Sequence, residues 1–285
     1  MEITLPSYAK INLSLDILRK RPDGYHDMQM VMETLALHDD VTIRISDGDR
    51  ISARTNWAFL PAGVENIAAK AVKLFFETQN IPPHSVDIFI RKLIPIAAGL
   101  AGGSGNAAAV LSGLNILLGT GLSDGALAAM GEALGADVPY CVLRGTMLAE
   151  GIGERLTPLP ALPPVYVVLA KPGFSIKTPT LFAQVDCAKI RRRPDTPGLI
   201  HALERGDLHG VAMRMYNVFE DVLGKQEREI VRIKQTLIDH DALGAVMTGT
   251  GSAVFGLFER EADAKRAYLA LRENFAETFL TTNLV

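Results

Sequence analysis

The stretch SVDIFIRKLIPIAAGLAGGSGNAAAVLSGLNILLG, residues 85–119, constrains the fold more than any other part of the chain. Apolar and polar residues alternate through SVDIFIRKLIP, the pattern of a strand with one buried face. Four glycines and six alanines then crowd into the fifteen positions PIAAGLAGGSGNAAA, residues 95–109, with one serine, one asparagine and no charge. From Asn106 the run AAAVLSGLNILLG predicts a helix that stops at Gly119. A strand feeding bare backbone into a helix aims the helix's first free N–H groups, and the positive end of its dipole, at the turn. Such a turn can receive an anion.

Three templates test that reading. A Walker loop, GxxxxGK[ST], requires a lysine for the β and γ phosphates, and Gly99 to Asn106 holds none. A dinucleotide fingerprint GxGxxA is matched literally by Gly103-Ser104-Gly105-Asn106-Ala107-Ala108. The acidic residue that should end a strand about twenty positions on is Asp124, which instead reads as a helix start. The third template is the generic strand, glycine turn and helix, in which Gly99, Gly102, Gly103 and Gly105 let backbone approach phosphate oxygens. The residues alone leave two readings open, a phosphate cradle and a tight strand-to-helix connection.

The 285 residues suffice for one or two domains, and 48% hydrophobic with 21% charged residues is a soluble globular composition. A net charge of -3 and a pI near 6.1 argue against a general polyanion binder, so no nucleic-acid partner is expected. The basic run Lys189 to Arg193 precedes Pro194-Asp195-Thr196-Pro197 and reads as a solvated surface. Cys141 and Cys187 lack CxxC spacing, which suits a reducing compartment. The N-terminus alternates and carries Glu2 and Lys10, unlike a signal peptide, and no run of eighteen apolar residues occurs. A cytoplasmic protein without a membrane partner is expected, and its oligomeric state is not legible.

Alternation predicts a strand in ITLPSYAKINLSLDILRK and a hairpin in VTIRISDGDRISART around its Ser-Asp-Gly-Asp turn; strands are also expected in GTMLAE and ERLTPL, in the continuous apolar run VYVVLAK, and as a pair in AVMTGTGSAVFGLF. Helical periodicity marks ENIAAKAVKLFFET, with Ile67, Ala71, Leu74 and Phe75 on one stripe, and DGALAAMGEALG, which should end at Gly135. Further helices are expected near 197–222, 226–240 and 262–275. Asp137 falls on a loop, and Asp39-Asp40 reads as a solvated turn. The class is α+β in two domains, residues 1–160 and 161–285, meeting at PALPP.

PIAAGLAGGSGNAAA resembles the second motif of the GHMP kinase superfamily, which binds ATP without a Walker lysine. PSYAKINLSL at 6–15 resembles its first motif and GAVMTGTGSAVFGLF at 244–258 its third. The resemblance implies a two-domain GHMP kinase fold, with a strand-rich, ATP-binding and catalytic N-terminal domain and an open-sheet C-terminal domain with helices. AKINLSLDILRKRPDGYHDMQMVMETL, GADVPYCVLRGTMLAEGIGERLTPLP and KPGFSIKTPTLF are similar in particular to kinases of 4-diphosphocytidyl-2-C-methyl-D-erythritol. Those enzymes phosphorylate the 2-hydroxyl of this cytidine diphosphate-linked methylerythritol in the non-mevalonate route to isoprenoid precursors.

That resemblance also assigns residues. Asp137 is implied to take the proton from the hydroxyl, and Lys10 to stabilise the developing charge. Pro95, Ile96, Ala97, Ala98, Gly99, Leu100, Ala101, Gly102, Gly103, Ser104 and Gly105 are implied to hold ATP, with Mg2+ arriving on its phosphates. Tyr25, His26 and Phe182 are implied to sandwich cytosine, with Asn12 and Thr178 lining the same pocket. Read without the family, Lys10 and Asp137 are simply polar residues in the apolar contexts YAKIN and GADVPY. One departure stands at Gly105, where those kinases often carry a second serine after Ser104. The histidines at 38, 84, 201, 209 and 240 show no ligand spacing, and metal ligands are not assigned.

Overall fold

The structure is a computed structural model that describes residues 1–58, 60, 63–187, 189, 190 and 192–284. Two compact units emerge, each assembled from separated stretches of chain. The first takes Met1–Ala9, Leu37–Ile94 and Ala101–Arg144; the second takes Lys10–Ala36, Pro95–Leu100 and the chain from Gly145 on. Two long strands, β1 (Glu2–Lys20) and β2 (His26–Ser46), contribute residues to both units.

In the first unit β3 (Ile51–Thr55) and β4 (Ser85–Arg91) complete a sheet of order β3-β4-β2-β1. The hairpin expected around Ser46 to Asp49 does not form, because β4 lies between its two arms. β4 runs antiparallel to β2 from Asp40↔Arg91 to Ser46↔Ser85, and parallel to β3 from Ile51↔Val86 to Thr55↔Ile90. Val86, Ile88 and Ile90 are buried beside Ile43, Ile45 and Ala53, so long-range apolar pairing overrides the local turn signal.

Helices α1 (Ile67–Gln79), α2 (Gly102–Leu118), α3 (Asp124–Gly131) and α4 (Val138–Leu143) join this sheet in one core. Asn66 caps α1 by accepting the Ala68 N–H at 3.0 Å, and Asn80 closes it in the left-handed region. Its buried face is Ala68, Ala69, Ala71, Val72, Phe75 and Phe76; Ile67 and Leu74 of the expected stripe are half-buried. α3 stops at Gly131 rather than Gly135. At Gly131 an added Cβ would fall 2.6 Å from Val138 Cγ1, so this close approach requires glycine.

The second unit adds β5 (Met147–Gly151) and β6 (Arg155–Pro158) to β2, with Met28↔Gly151 to Met32↔Met147 in register. Beyond them come β7 (Tyr166–Lys171), α5 (Thr178–Gln184), α6 (Thr196–Glu204), α7 (Leu208–Ala212) and the short β8 (Tyr216–Asn217). β8 runs parallel to β1 at Ser14↔Tyr216. The chain ends with α8 (Glu227–Asp239), β9 (Gly244–Met247), β10 (Val254–Phe258), α9 (Glu261–Arg272) and β11 (Glu277–Thr282), a strand the sequence reading omitted. An antiparallel sheet of order β11-β7-β10-β9 results. Its central strands β7 and β10 are buried almost throughout, which explains their unbroken apolar runs.

The basic run is not wholly a solvated surface. Arg193 Nη1 donates to Asp16 Oδ1 at 2.7 Å and to the Ile17 carbonyl at 3.0 Å, and Arg192 lies 4.5 Å from the centre of the Tyr216 ring. Arg191 of that run, and the final residue of the expected second domain, lie outside the described residues. Among the described residues no helix is long and apolar enough to cross a membrane.

Candidate active site

In the first unit the glycine loop enters α2 earlier than the sequence predicts. Ala101, at φ 54°, caps the helix, which begins at Gly102 rather than near Asn106. Gly102, Gly103 and Ser104 therefore form its first turn, with no side chain capping it. An added Cβ at Gly103 would come no closer than 4.0 Å to Ile67, leaving the backbone open to an approaching group. Gly105 faces the other way. A Cβ there would lie 2.7 Å from Ser7 Oγ and 3.2 Å from the Tyr8 carbonyl oxygen, so a side chain at 105 is directed into β1.

Asn106 stands inside the helix, with its side chain committed to neighbouring groups. Its Nδ2 donates to Asp39 Oδ2 at 2.9 Å and to Ser7 Oγ at 3.0 Å, and its Oδ1 accepts from Lys92 Nζ at 3.1 Å. Lys92 also pairs with Asp39, whose Oδ1 accepts the N–H groups of Leu93 and Ile94 at 2.7 and 2.9 Å. Asp39 is 0% exposed, which overturns its reading as a solvated turn residue. β2 runs straight through this position, and the two-residue period puts Asp39 on the same buried face as Val41, Ile43 and Ile45. Its neighbour Asp40 is half-buried and pairs with Arg91 at 3.4 Å.

Asp137 lies on the turn between α3 and α4, as the sequence predicts, and is the residue that immediately precedes α4. Its carbonyl accepts the Cys141 N–H at 3.1 Å, while its half-buried side chain makes no capping bond. The carboxylate is therefore not committed to holding that helix.

In the second unit the strand period places Lys10 and Asn12 on one face, and Lys10 Nζ donates to Asn12 Oδ1 at 2.7 Å. Lys10 is 4% exposed, and its N–H reaches the Leu100 carbonyl at 3.2 Å. Thr248, which the sequence reading missed, accepts the Asn12 N–H at 3.1 Å. The loop 248–252 is clamped around it. Asn217 Nδ2 donates to the carbonyls of Met247 and Gly249 at 2.7 and 2.8 Å, and the Ala253 N–H meets the Ala98 carbonyl at 3.2 Å. Gly99, at φ 78°, tolerates no side chain, because a Cβ would collide with the Thr248 carbonyl oxygen. A hydroxyl at the mouth of an otherwise apolar strand was the available signal for Thr248.

The same unit gathers the aromatic residues. The turn after Arg21 is closed by the Arg21 N–H to the Tyr25 carbonyl at 2.8 Å and by the Tyr25 N–H to Asp23 Oδ1 at 3.0 Å. It presents Tyr25 61% exposed and turns His26 inward. His26 stacks on Phe182 with ring centroids 5.1 Å apart and an interplanar angle of 27°, and Phe182 meets the Phe219 ring edge-on at 4.9 Å. Burial, then the charge of Lys20, lowers the His26 pKa, so its imidazole is neutral near pH 7. Thr178, at the start of α5, shares a 3.0 Å hydroxyl pair with Thr250. Among the described residues no group of three or more His, Cys, Asp or Glu side chains is placed to hold a metal ion.

Comparison with known proteins adds a lineage to this geometry. The family model described as GHMP kinases N terminal domain matches residues 66–145, and that described as GHMP kinases C terminal matches residues 199–277. A 4-diphosphocytidyl-2-C-methyl-D-erythritol kinase of Lachnoclostridium phytofermentans is 45% identical over 281 residues, covering 98% of this chain and 96% of that protein. One from Acetivibrio thermocellus is 43% identical over 283 residues, covering 99% of both. A solved 4-(cytidine 5'-diphospho)-2C-methyl-D-erythritol kinase superposes with a TM-score of 0.84 at 32% identity over 99% of each chain. A homoserine kinase from Cytophaga hutchinsonii shares the fold, with a TM-score of 0.76 at 19% identity over 100% of this chain and 95% of that one.

Proposed function

The chain belongs to the GHMP kinases, and we propose from that premise that it transfers the γ-phosphate of ATP to the 2-hydroxyl of 4-diphosphocytidyl-2-C-methyl-D-erythritol. The observation that carries this reading is likeness along the whole chain to kinases of that name. We place the enzyme in the cytoplasm, in the non-mevalonate route to isoprenoid precursors. The ATP-binding and catalytic domain spans residues 1–160 and the second domain 161–285, a division supported by one family match on either side of it.

The phosphates of ATP are held by backbone. The uncapped first turn of α2 supplies N–H groups and a favourable dipole, and open space at Gly103 suits close approach of an oxyanion. We assign residues 95–105 to ATP binding, with Ser104 adding a hydroxyl. Mg2+ carried in on the nucleotide would supply charge neutralisation there.

Asp137 is the general base. Its carboxylate, free of the helix cap, takes the proton of the 2-hydroxyl as the oxygen attacks the γ-phosphorus. Lys10 supplies the positive charge that the missing Walker lysine would have supplied, at the alkoxide and the transferring phosphoryl group. Cytosine is recognised by the aromatic group around Tyr25, His26 and Phe182, the neutral imidazole offering one donor and one acceptor. His26 and Phe182 already stack at 5.1 Å, so a base enters between them only if Phe182 swings outward on α5. Asn12 and Thr178 complete the substrate pocket.

The test is ADP release with ATP and the cytidyl substrate, for wild type and Asp137→Asn, with homoserine and mevalonate as control acceptors. The reading expects turnover with the cytidyl substrate only, reduced about 10²- to 10⁴-fold in the variant. Equal rates in the two proteins would remove Asp137 as the base, and preference for a control acceptor would remove the substrate.

A further inference from the structure

Thr248 carries one hydroxyl proton and faces two acceptors. The side chain is fully buried, and its Oγ1 lies 3.3 Å from Asn12 Oδ1 and 3.3 Å from the Gly99 carbonyl oxygen. A hydroxyl has a single donor, so only one of these bonds exists at a time. Both its acceptor capacity and its orientation are tied to Asn12, whose N–H it accepts at 3.1 Å.

Lys10 biases which bond forms, because it already occupies one of the two lone pairs of the Asn12 amide oxygen. With its ammonium on Asn12 Oδ1 at 2.7 Å, the amide oxygen already has a charge-assisted donor, and the Thr248 proton is free to serve Gly99. When Lys10 turns to the transferring phosphoryl group, Asn12 Oδ1 is left buried, at 0% exposure, without that donor. The threonine hydroxyl then has only to rotate about one bond to replace it.

We propose that Thr248 is a positioning residue for Lys10, its proton passing from Gly99 to Asn12 as Lys10 leaves Asn12 for the reacting groups. The exchange keeps the Asn12 amide in place and removes a penalty from the lysine's departure. It also couples that departure to the loops, because the same rotation releases the hydroxyl clasp between residue 99 and the 248–252 segment. The inference rests on the kinase reading above and names a residue that touches neither nucleotide nor acceptor in it.

Thr248→Val removes the proton, and with it the acceptor of the Asn12 N–H, while keeping the branched shape; Thr248→Ser keeps both, and a complex with an ATP analogue separates the proton's role from the acceptor's. An acceptor left unsatisfied when Lys10 moves lowers kcat of the valine variant about 5- to 100-fold. KM for ATP and for the cytidyl substrate stays within about two-fold, and the serine variant recovers most of the rate. Wild-type kcat in Thr248→Val, a loss residing in KM, or equal loss in both variants would overturn the inference. A crystal structure with a non-hydrolysable ATP analogue gives a readout that does not depend on the acceptor. Thr248 Oγ1 should close on Asn12 Oδ1 and withdraw from Gly99; Lys10 remaining on Asn12, or Lys10 displaced with Thr248 still on Gly99, would equally overturn it. Wild type that releases no ADP with the cytidyl substrate refutes the substrate reading alone, and the analogue complex still decides the role of Thr248.

Discussion

Removing either partner of the buried Lys92–Asp39 pair should destabilise the protein sharply, and neutralising both should cost less than the two single losses together. Asp39 is 0% exposed and Lys92 8% exposed, so a single substitution strands a charge out of water. Breaking such a pair from one side typically costs about 3–5 kcal/mol. In Lys92→Met the Asp39 carboxylate keeps three donors, Leu93 N, Ile94 N and Asn106 Nδ2, which places the loss near the lower end, about 3 kcal/mol. Asp39→Ala also leaves the Leu93 and Ile94 N–H groups without their acceptor and falls at or above the upper end, about 5 kcal/mol.

The double variant Asp39→Asn with Lys92→Met separates charge from hydrogen bonding. Asparagine keeps one oxygen for the two backbone N–H groups, and its amide, standing where Oδ2 accepted from Asn106 Nδ2, requires the Asn106 amide to turn over so that its oxygen accepts from the new amide and from the Ser7 hydroxyl. Urea unfolding followed by circular dichroism reads the losses, and about 3 kcal/mol corresponds to a fall in Tm of about 6–12 °C. The double variant should recover about 2 kcal/mol relative to the sum of Lys92→Met and Asp39→Asn, as expected for groups in one network. Because Asn106 ties the N-terminal part of α2 to Lys92, Asp39 and Ser7, ATP binding should weaken in Lys92→Met. A loss below about 1 kcal/mol in both single variants, or strict additivity in the double, would refute the reasoning.

Gly99→Ala should express with reduced stability and lose most ATP-dependent turnover, since residue 99 sits at φ 78° and a Cβ would strike the Thr248 carbonyl; unchanged KM for ATP and unchanged Tm would contradict this. Phe182→Ala removes the ring proposed to stack on cytosine, a contact worth about 0.5–1.5 kcal/mol, and should raise KM for the cytidyl substrate about 2- to 12-fold with KM for ATP unaltered, as steady-state kinetics will report. Burial pushes the Glu33 pKa from 4.5 up to about 7, against a 2.5 Å bond from the Thr146 hydroxyl that favours the charged form. The folded state therefore holds a proton that the unfolded chain loses between pH 4.5 and 7, so stability falls as pH rises through that window, by about 3 kcal/mol, and is flat above it. In Glu33→Gln denaturant midpoints should lose that slope; a profile parallel to wild type would assign the pH dependence to other groups.

Much of the site can be read along the chain because it depends on local periodicity. The strand, glycine turn and helix around residue 100 follow from alternation giving way to small residues and then to helical spacing. Lys10 and Asn12 share a face because they stand two apart on a strand, and Asn66 and Asn80 bound a helix by chemistry local to its ends. Asp137 as a helix-capping residue with a free carboxylate was only half legible, since nothing in GADVPY separates a loop from the residue before a short helix.

The remainder depended on which distant segments meet. Two acidic residues before VTIRIS look solvated until β2 runs through them and the two-residue period turns Asp39 toward Lys92 and Asn106. A Ser-Asp-Gly-Asp turn looks like a hairpin until β4, arriving some thirty residues later, offers both arms a better apolar partner. The sequence by itself determined the α+β class, the anion-ready turn and the identity of the charged groups, because propensity and period act over a few residues. Only the tertiary structure decided that Gly105 faces β1 and that the Thr248 hydroxyl lies between Asn12 and Gly99. Hydrogen bonds form within about 3 Å, and no pattern along the chain specifies which groups from distant segments come that close.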